Sequence, residues 1–162
     1  MNRNMENKPI DIHVDVLSFA GRWYSLYSIP TFMDSHWRHT IETYVIHPDG
    51  YYAVFTTYNV IGERKKKYLR SKLFVVPKSG NSRMKAQFVW PIKIDYWIIE
   101  LAEDYSYMVV GHPKHKYLFI MARKPEMDAD LLNELIYRCK QRGYDTEKLV
   151  SQEHFKVSKL TK

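Results

Sequence analysis

From Gly21 to Arg123 the sequence is cut by turn signals into short aromatic and β-tolerant runs, and no helical segment interrupts them. Gly21 to Ile29 is closed by Pro30, and Thr40 to His47 alternates until Pro48-Asp49-Gly50, a hairpin signal. Tyr51 to Val60 follows at once, and Lys67 to Val76 ends at the loop Pro77-Lys78-Ser79-Gly80-Asn81-Ser82. Arg83 to Trp90 stops at Pro91, and Ile94 to Ala102 stops at Glu103-Asp104. Tyr105 to His112 and Lys116 to Arg123 flank Pro113-Lys114-His115, which brings the count to eight strands. Parallel strands need long crossovers, so the sheet is expected to be antiparallel. Closing it as an up-and-down barrel removes edges that would otherwise pair with other chains. The expected fold class is all-β, an eight-stranded antiparallel barrel.

Several strands are apolar on both faces, so something must cover the outside. The cover is expected to be one C-terminal helix, Asp128 to Arg142, with Asp128 as N-cap and Gly143 just past its end. Leu131, Leu132, Leu135, Ile136 and Cys139 recur at helical spacing and form its apolar stripe. Cys139 is the single cysteine, which excludes an internal disulfide, and it reads as a small core hydrophobe. Glu147 to Phe155 reads as a short final strand. The expected division is an arm at 1–14, one barrel-plus-helix domain at 15–155 and a basic tail at 156–162. With 162 residues, thirteen Tyr, seven Phe and four Trp, the chain can bury one substantial core. Met1 to Asp15 contains no signal-peptide core. If Met1 is the native start, the expected location is cytoplasmic; if a leader has been removed, it is periplasmic or outer-membrane-associated.

Three places resemble the lipocalin family, specifically the bacterial and apolipoprotein D-like members. Gly21-Arg22-Trp23-Tyr24 is similar to the family's Gly-x-Trp motif on the first strand. Glu103-Asp104-Tyr105 is similar to its acidic-Tyr turn, and Tyr117 to Arg123 to its eighth strand with a closing arginine. Two departures are visible: no cysteine stands near the N-terminus, and Phe119 stands where many relatives carry Trp. The resemblance implies a barrel that binds a small hydrophobic or amphipathic molecule, with fatty acids and lysophospholipids first among the guests. In such a barrel Trp23 can plug one end, with the Arg123 guanidinium across its indole in a contact worth about 0.5–2 kcal/mol. Gly21, Trp23, Tyr105 and Arg123 therefore read as structural residues.

If Trp23 and Arg123 mark the inner face, alternation places Tyr27 and Ile29 inside on the first strand. The same rule places Tyr117, Phe119 and Met121 inside on the eighth. Pattern and resemblance together add Tyr44, Ala53, Phe55, Phe88 and Tyr107 as ligand-lining candidates. Tyrosines over an apolar floor suit an amphipathic guest whose tail is desolvated and whose head meets hydroxyls.

The net charge is +7, from 25 basic and 18 acidic residues. Arg64 to Lys85 holds nine basic residues and no acidic one. That stretch reads either as a solvated face or as a surface for peripheral contact with anionic membrane; Lys85 or Arg70, turned inward, could meet a ligand's acidic group. No nucleic-acid motif accompanies the charge, so nucleic acid is not an expected partner. His36, His39, His112 and His115 lack a third ligand at diagnostic spacing, so no metal site and no cofactor is expected. No nucleophile elbow or phosphate loop occurs, and no enzyme activity is expected. Two alternatives stay open: a haem or tetrapyrrole carrier using His112, His115 or a pocket tyrosine, and an enzyme acting on a bound lipid or isoprenoid. The oligomeric state is not legible in the sequence.

Overall fold

A computed structural model describes residues 12–154. After a one-turn helix, α1 (Val16–Phe19), come β1 (Gly21–Ile29), β2 (Trp37–Ile46), β3 (Tyr52–Val60) and β4 (Lys67–Val75). The chain continues through β5 (Arg83–Val89), β6 (Ile92–Leu101), β7 (Tyr107–Gly111) and β8 (Leu118–Ala122). Helix α2 (Ala129–Gln141), a 3-10 turn (Thr146–Lys148) and a two-residue strand β9 (Val150–Ser151) complete it. From β1 to β8 each strand pairs antiparallel with the next, and β8 pairs back with β1, closing an eight-stranded barrel. Most of the expected N-terminal arm and all of the basic tail lie outside the described residues.

Two apolar layers follow from the alternation of strand side chains. The inner one gathers Trp23, Tyr44, Val54, Leu73, Met84, Ile98, Met108 and Met121. The outer one joins Ile99, Val109, Leu118 and Ile120 to Leu135 and Cys139 of α2. The Asp128 carboxylate caps the helix by accepting from Leu131 N–H at 3.2 Å. Glu100 on β6 fastens the helix to the barrel, accepting from Arg138 at 3.3 Å and Arg142 at 3.2 Å. Gly111 sits where strand and post-helix segment meet; a Cβ there would overlap the Tyr144 hydroxyl and lie 3.1 Å from Ile99 Cδ1. Only glycine permits that approach.

Strands β1 and β2 pair only from Gly21↔Tyr44 to Tyr24↔Ile41, then diverge. The C-terminal segment fills the parting. β9 pairs with Tyr27 and Ser28, and the Gln152 amide accepts from Thr40 Oγ1 at 2.7 Å and donates to Ser28 Oγ at 3.1 Å. Its backbone completes the lacing, with Gln152 N–H to Leu26 C=O at 2.9 Å and His39 N–H to Gln152 C=O at 2.7 Å.

Candidate binding site in the barrel

The closed end is built by the residues just before β1. Val14 N–H donates to Gly80 C=O at 2.8 Å, and Asn81 returns a bond to Val14 C=O at 2.9 Å, strapping the chain across the β4–β5 turn. Asp15 caps α1 by accepting from Ser18 N–H at 2.9 Å. Phe19 is thereby pressed into the barrel against Tyr44, 4.8 Å between ring centroids. Trp23 is fully buried, donates from Nε1 to Phe19 C=O at 2.9 Å, and carries the Arg123 guanidinium 3.9 Å from its ring centroid. Arg123 also donates to the carbonyls of Ser18 (2.6 Å), Arg22 (2.9 Å) and Tyr105 (3.3 Å). Gly21, at φ +102°, is the residue whose Cβ would lie 3.3 Å from that guanidinium. Tyr105 joins the strap through its hydroxyl, which accepts from Asp15 N–H at 2.8 Å.

Above this floor the interior turns polar on one side. Glu42 shares the inner face of β2 with Tyr44, since it pairs with Trp23 and Thr56. Tyr44 and Tyr96 hydroxyls both bond to Glu42 Oε2, the second at 3.3 Å, and they also bond to one another. Burial raises the Glu42 pKa, and the two phenols oppose that rise by stabilising the charge. Burial and the neighbouring carboxylate push the Tyr44 and Tyr96 phenols well up, so both stay protonated donors. Tyr117 is 4% exposed and its hydroxyl has no hydrogen-bond partner among the described residues. Glu42, Ile94 and Phe119 keep part of their accessible surface although they sit on inward faces. Surface in that position is reached from space inside the barrel or from its mouth.

Of the expected lining residues, Tyr44, Phe88, Tyr117, Phe119 and Met121 lie with the inner cluster. The other five do not, and each departure has a local cause. A bulge between Ser25 and Tyr27 shifts the register of β1 against β8, so Tyr27 and Ile29 turn outward beneath α2 while Ser25 and Ser28 face in. Tyr44 pairs with Val54, and paired residues share a face, so Ala53 and Phe55 point outward. Met108 pairs with Met121, which puts Tyr107 on the helix side. The residues that sequence reasoning missed are Glu42, Tyr96, Tyr52 and Thr56. For Glu42 the signal was present: two positions before Tyr44, it falls on the same face.

The basic stretch does not form one surface. Arg64, Lys65 and Lys66 lie in the β3–β4 loop at the open end, whereas Lys78 lies in a closed-end turn. Arg70 and Lys72 face outward over Phe55 and Tyr51, at 5.5 and 5.0 Å from the rings. Lys85 also faces out, paired with Asp95 at 2.9 Å, so neither Arg70 nor Lys85 turns inward. The β4–β5 ladder ends at Lys72↔Gln87. Beyond it opens a groove of about 320 Å³ lined by Phe55, Arg70, Ser71, Phe88 and Trp90 among others. At the mouth the His112 ring lies 5.3 Å from Tyr117, while His115 packs against Tyr144 at 4.5 Å on the helix side. Among the described residues no three His, Cys, Asp or Glu side chains come together in a way that could hold a metal.

A closed barrel with an indole floor under a guanidinium, and a helix on one outer flank, can be compared with known proteins. The lipocalin-like domain family matches residues 14–154. The chain belongs to the lipocalin family. This lipocalin is 28% identical over 149 residues to temperature-induced lipocalin-1 of Arabidopsis thaliana, covering 84% of this chain and 77% of the relative. It is 26% identical over 144 residues to the outer membrane lipoprotein Blc of Vibrio cholerae, covering 88% and 84%. Among solved structures, insecticyanin from the tobacco hornworm Manduca sexta superposes with a TM-score of 0.67 at 20% identity, over 93% of this chain and 85% of that one. Lobster apocrustacyanin A1 superposes with a TM-score of 0.70 at 13% identity, over 88% and 81%. Lipocalins bind small hydrophobic ligands and are generally binding or transport proteins rather than catalysts.

Proposed function

We propose that this lipocalin binds a small amphipathic lipid, a fatty acid or lysophospholipid, inside the barrel and carries it without chemistry. The observation that supports this reading is the inner wall: apolar side chains and tyrosines above a sealed floor, with accessible surface left at Glu42, Ile94 and Phe119. Each methylene moved from water to such a wall contributes about 0.8 kcal/mol, so a single chain suffices for useful affinity after association costs. Native mass spectrometry of the purified chain tests the reading. The expected result is an adduct that organic extraction removes and that is identified as a single-chain lipid. No adduct, together with no quenching of Trp fluorescence by added lipid, would overturn it.

The mouth supports delivery at a membrane. Its loops expose Phe32 (98%), Trp90 (82%), Val89, Ile92 and Ile61 beside Arg64, Lys65 and Lys66. Basic residues near an anionic bilayer contribute about 1 kcal/mol each. Co-flotation with phosphatidylserine vesicles but not phosphatidylcholine vesicles is the expected outcome; flotation with neither removes membrane contact from the reading.

A further inference from the structure

We propose that the polar side of the barrel interior, marked by Glu42 and Tyr117, is a receptor for a hydrogen-bond-donating group, so that single-chain amphiphiles rank ammonium first, hydroxyl second and carboxylate last. This rests on the carrier reading and specifies the ligand that the interior fits.

The argument starts from unused bonding capacity. Both tyrosine hydrogen bonds to Glu42 fall on Oε2; among the described residues none reaches Oε1. No lysine or arginine pairs with Glu42 among the described residues. The Arg123 guanidinium is held by backbone carbonyls and the Trp23 ring at the floor. A carboxylate enclosed without a cation is costly, and a ligand cation relieves that cost. The second observation is the Tyr117 hydroxyl: 4% exposed as a residue, unpartnered, and on the inner face of the barrel. Burial first, and then the charges of Asp95, Tyr144 and Glu42, push its pKa up, so it stays a protonated phenol. Buried hydroxyls are nearly always hydrogen-bonded, so a hydroxyl enclosed on the inner face without a partner marks a place where a guest's polar atom can complete the bonding.

An ammonium has three donors and no acceptor, which matches an acceptor oxygen on Glu42 and the lone pairs of Tyr117. An alcohol can supply one donor. A carboxylate has only acceptors and would meet Glu42 as a like charge. Asp34, in the β1–β2 loop, adds to the mismatch: after burial, its like charge is the other influence that raises the Glu42 pKa. A fatty acid therefore enters tail first, with its carboxylate left at the lysine-bearing mouth.

The test is calorimetric titration of the delipidated full chain with tetradecylammonium, tetradecanol and myristate, each below its micelle concentration. The expected result is ammonium tighter than myristate by about tenfold or more at neutral pH, with the alcohol between them. Glu42→Gln should collapse that ratio, chiefly by weakening the ammonium and admitting the carboxylate. Tyr117→Phe should weaken ammonium and alcohol several-fold without lowering the thermal midpoint, because it deletes a hydroxyl with no internal partner. Near-UV circular dichroism confirms the fold of each variant, and if Glu42→Gln does not fold, Tyr117→Phe decides. Myristate binding as tightly as the ammonium, or a ratio unmoved by both variants, overturns the inference while leaving a lipid carrier. Failure of all three amphiphiles to bind overturns the carrier reading and the inference with it.

Discussion

Replacing Trp23 by Ala removes the centre of the barrel floor, and the structure fixes the size of the effect. The side chain is 0% exposed and packs on Phe19 at 6.2 Å. Emptying such a site costs about 3–5 kcal/mol in lost transfer energy and residual cavity. The Arg123 guanidinium loses the ring it covers at 3.9 Å, which adds about 1 kcal/mol for a partly buried pair. Phe19 C=O loses its indole donor, yet Arg123 Nη2 stays 3.3 Å away, so that acceptor is not orphaned. The expected loss is thus about 4–6 kcal/mol, a quarter or more of the stability of an ordinary domain. Urea unfolding followed by far-UV circular dichroism, extrapolated linearly, measures it. Trp23→Phe keeps a ring and provides a reading if the alanine variant does not fold. A cycle with Arg123→Lys should give a coupling of about 0.5–2 kcal/mol between ring and guanidinium. A loss below about 1 kcal/mol for Trp23→Ala, with an unchanged m-value, would refute the floor argument.

Gly111→Ala should dislodge Tyr144 from the barrel wall and cost about 1–3 kcal/mol by overpacking, read from the same urea transitions. Cys139 is fully buried and its thiol is pushed up to about 12, so it should resist a thiol reagent in the native state and react fully in urea. The raised pKa of Glu42 means that the folded chain binds more protons than the unfolded one from the ordinary glutamate value of about 4.5 upward. Stability from this group is present below 4.5 and falls as pH rises through the folded pKa. Glu42→Gln should therefore gain on the parent protein across that window and then level off; a pH-independent difference would show that the carboxyl is not desolvated.

The strand count, the hairpins and α2 were legible because each is set by local chemistry. Pro48-Asp49-Gly50 turns the chain whatever surrounds it, and the stripe from Leu131 to Cys139 needs only helical spacing. Facing was harder, because it depends on register, which single residues upset. One bulge after Ser25 inverted the upper half of β1, and another between Arg38 and Ile41 let β2 begin at Trp37 rather than Thr40. The plug α1 spans four residues, too few for any periodicity to register. Its role appears only when Phe19 meets Tyr44 and Tyr52 across the barrel. Of the polar cluster, Glu42 was readable from alternation, whereas its meeting with Tyr96, 54 positions away, is a product of closure.

The divergence of β1 from β2 has a consequence for how the molecule is made. The two strands are translated early, but the wedge that laces their upper halves is Gln152, almost the last part of the described chain to leave the ribosome. At about 5–20 residues per second, a nascent barrel spends several seconds with that flank unzipped and its amides seeking other partners. A transcript truncated before residue 150 would yield a protein that holds its floor and helix yet gapes along one side, a substrate for chaperones and proteases.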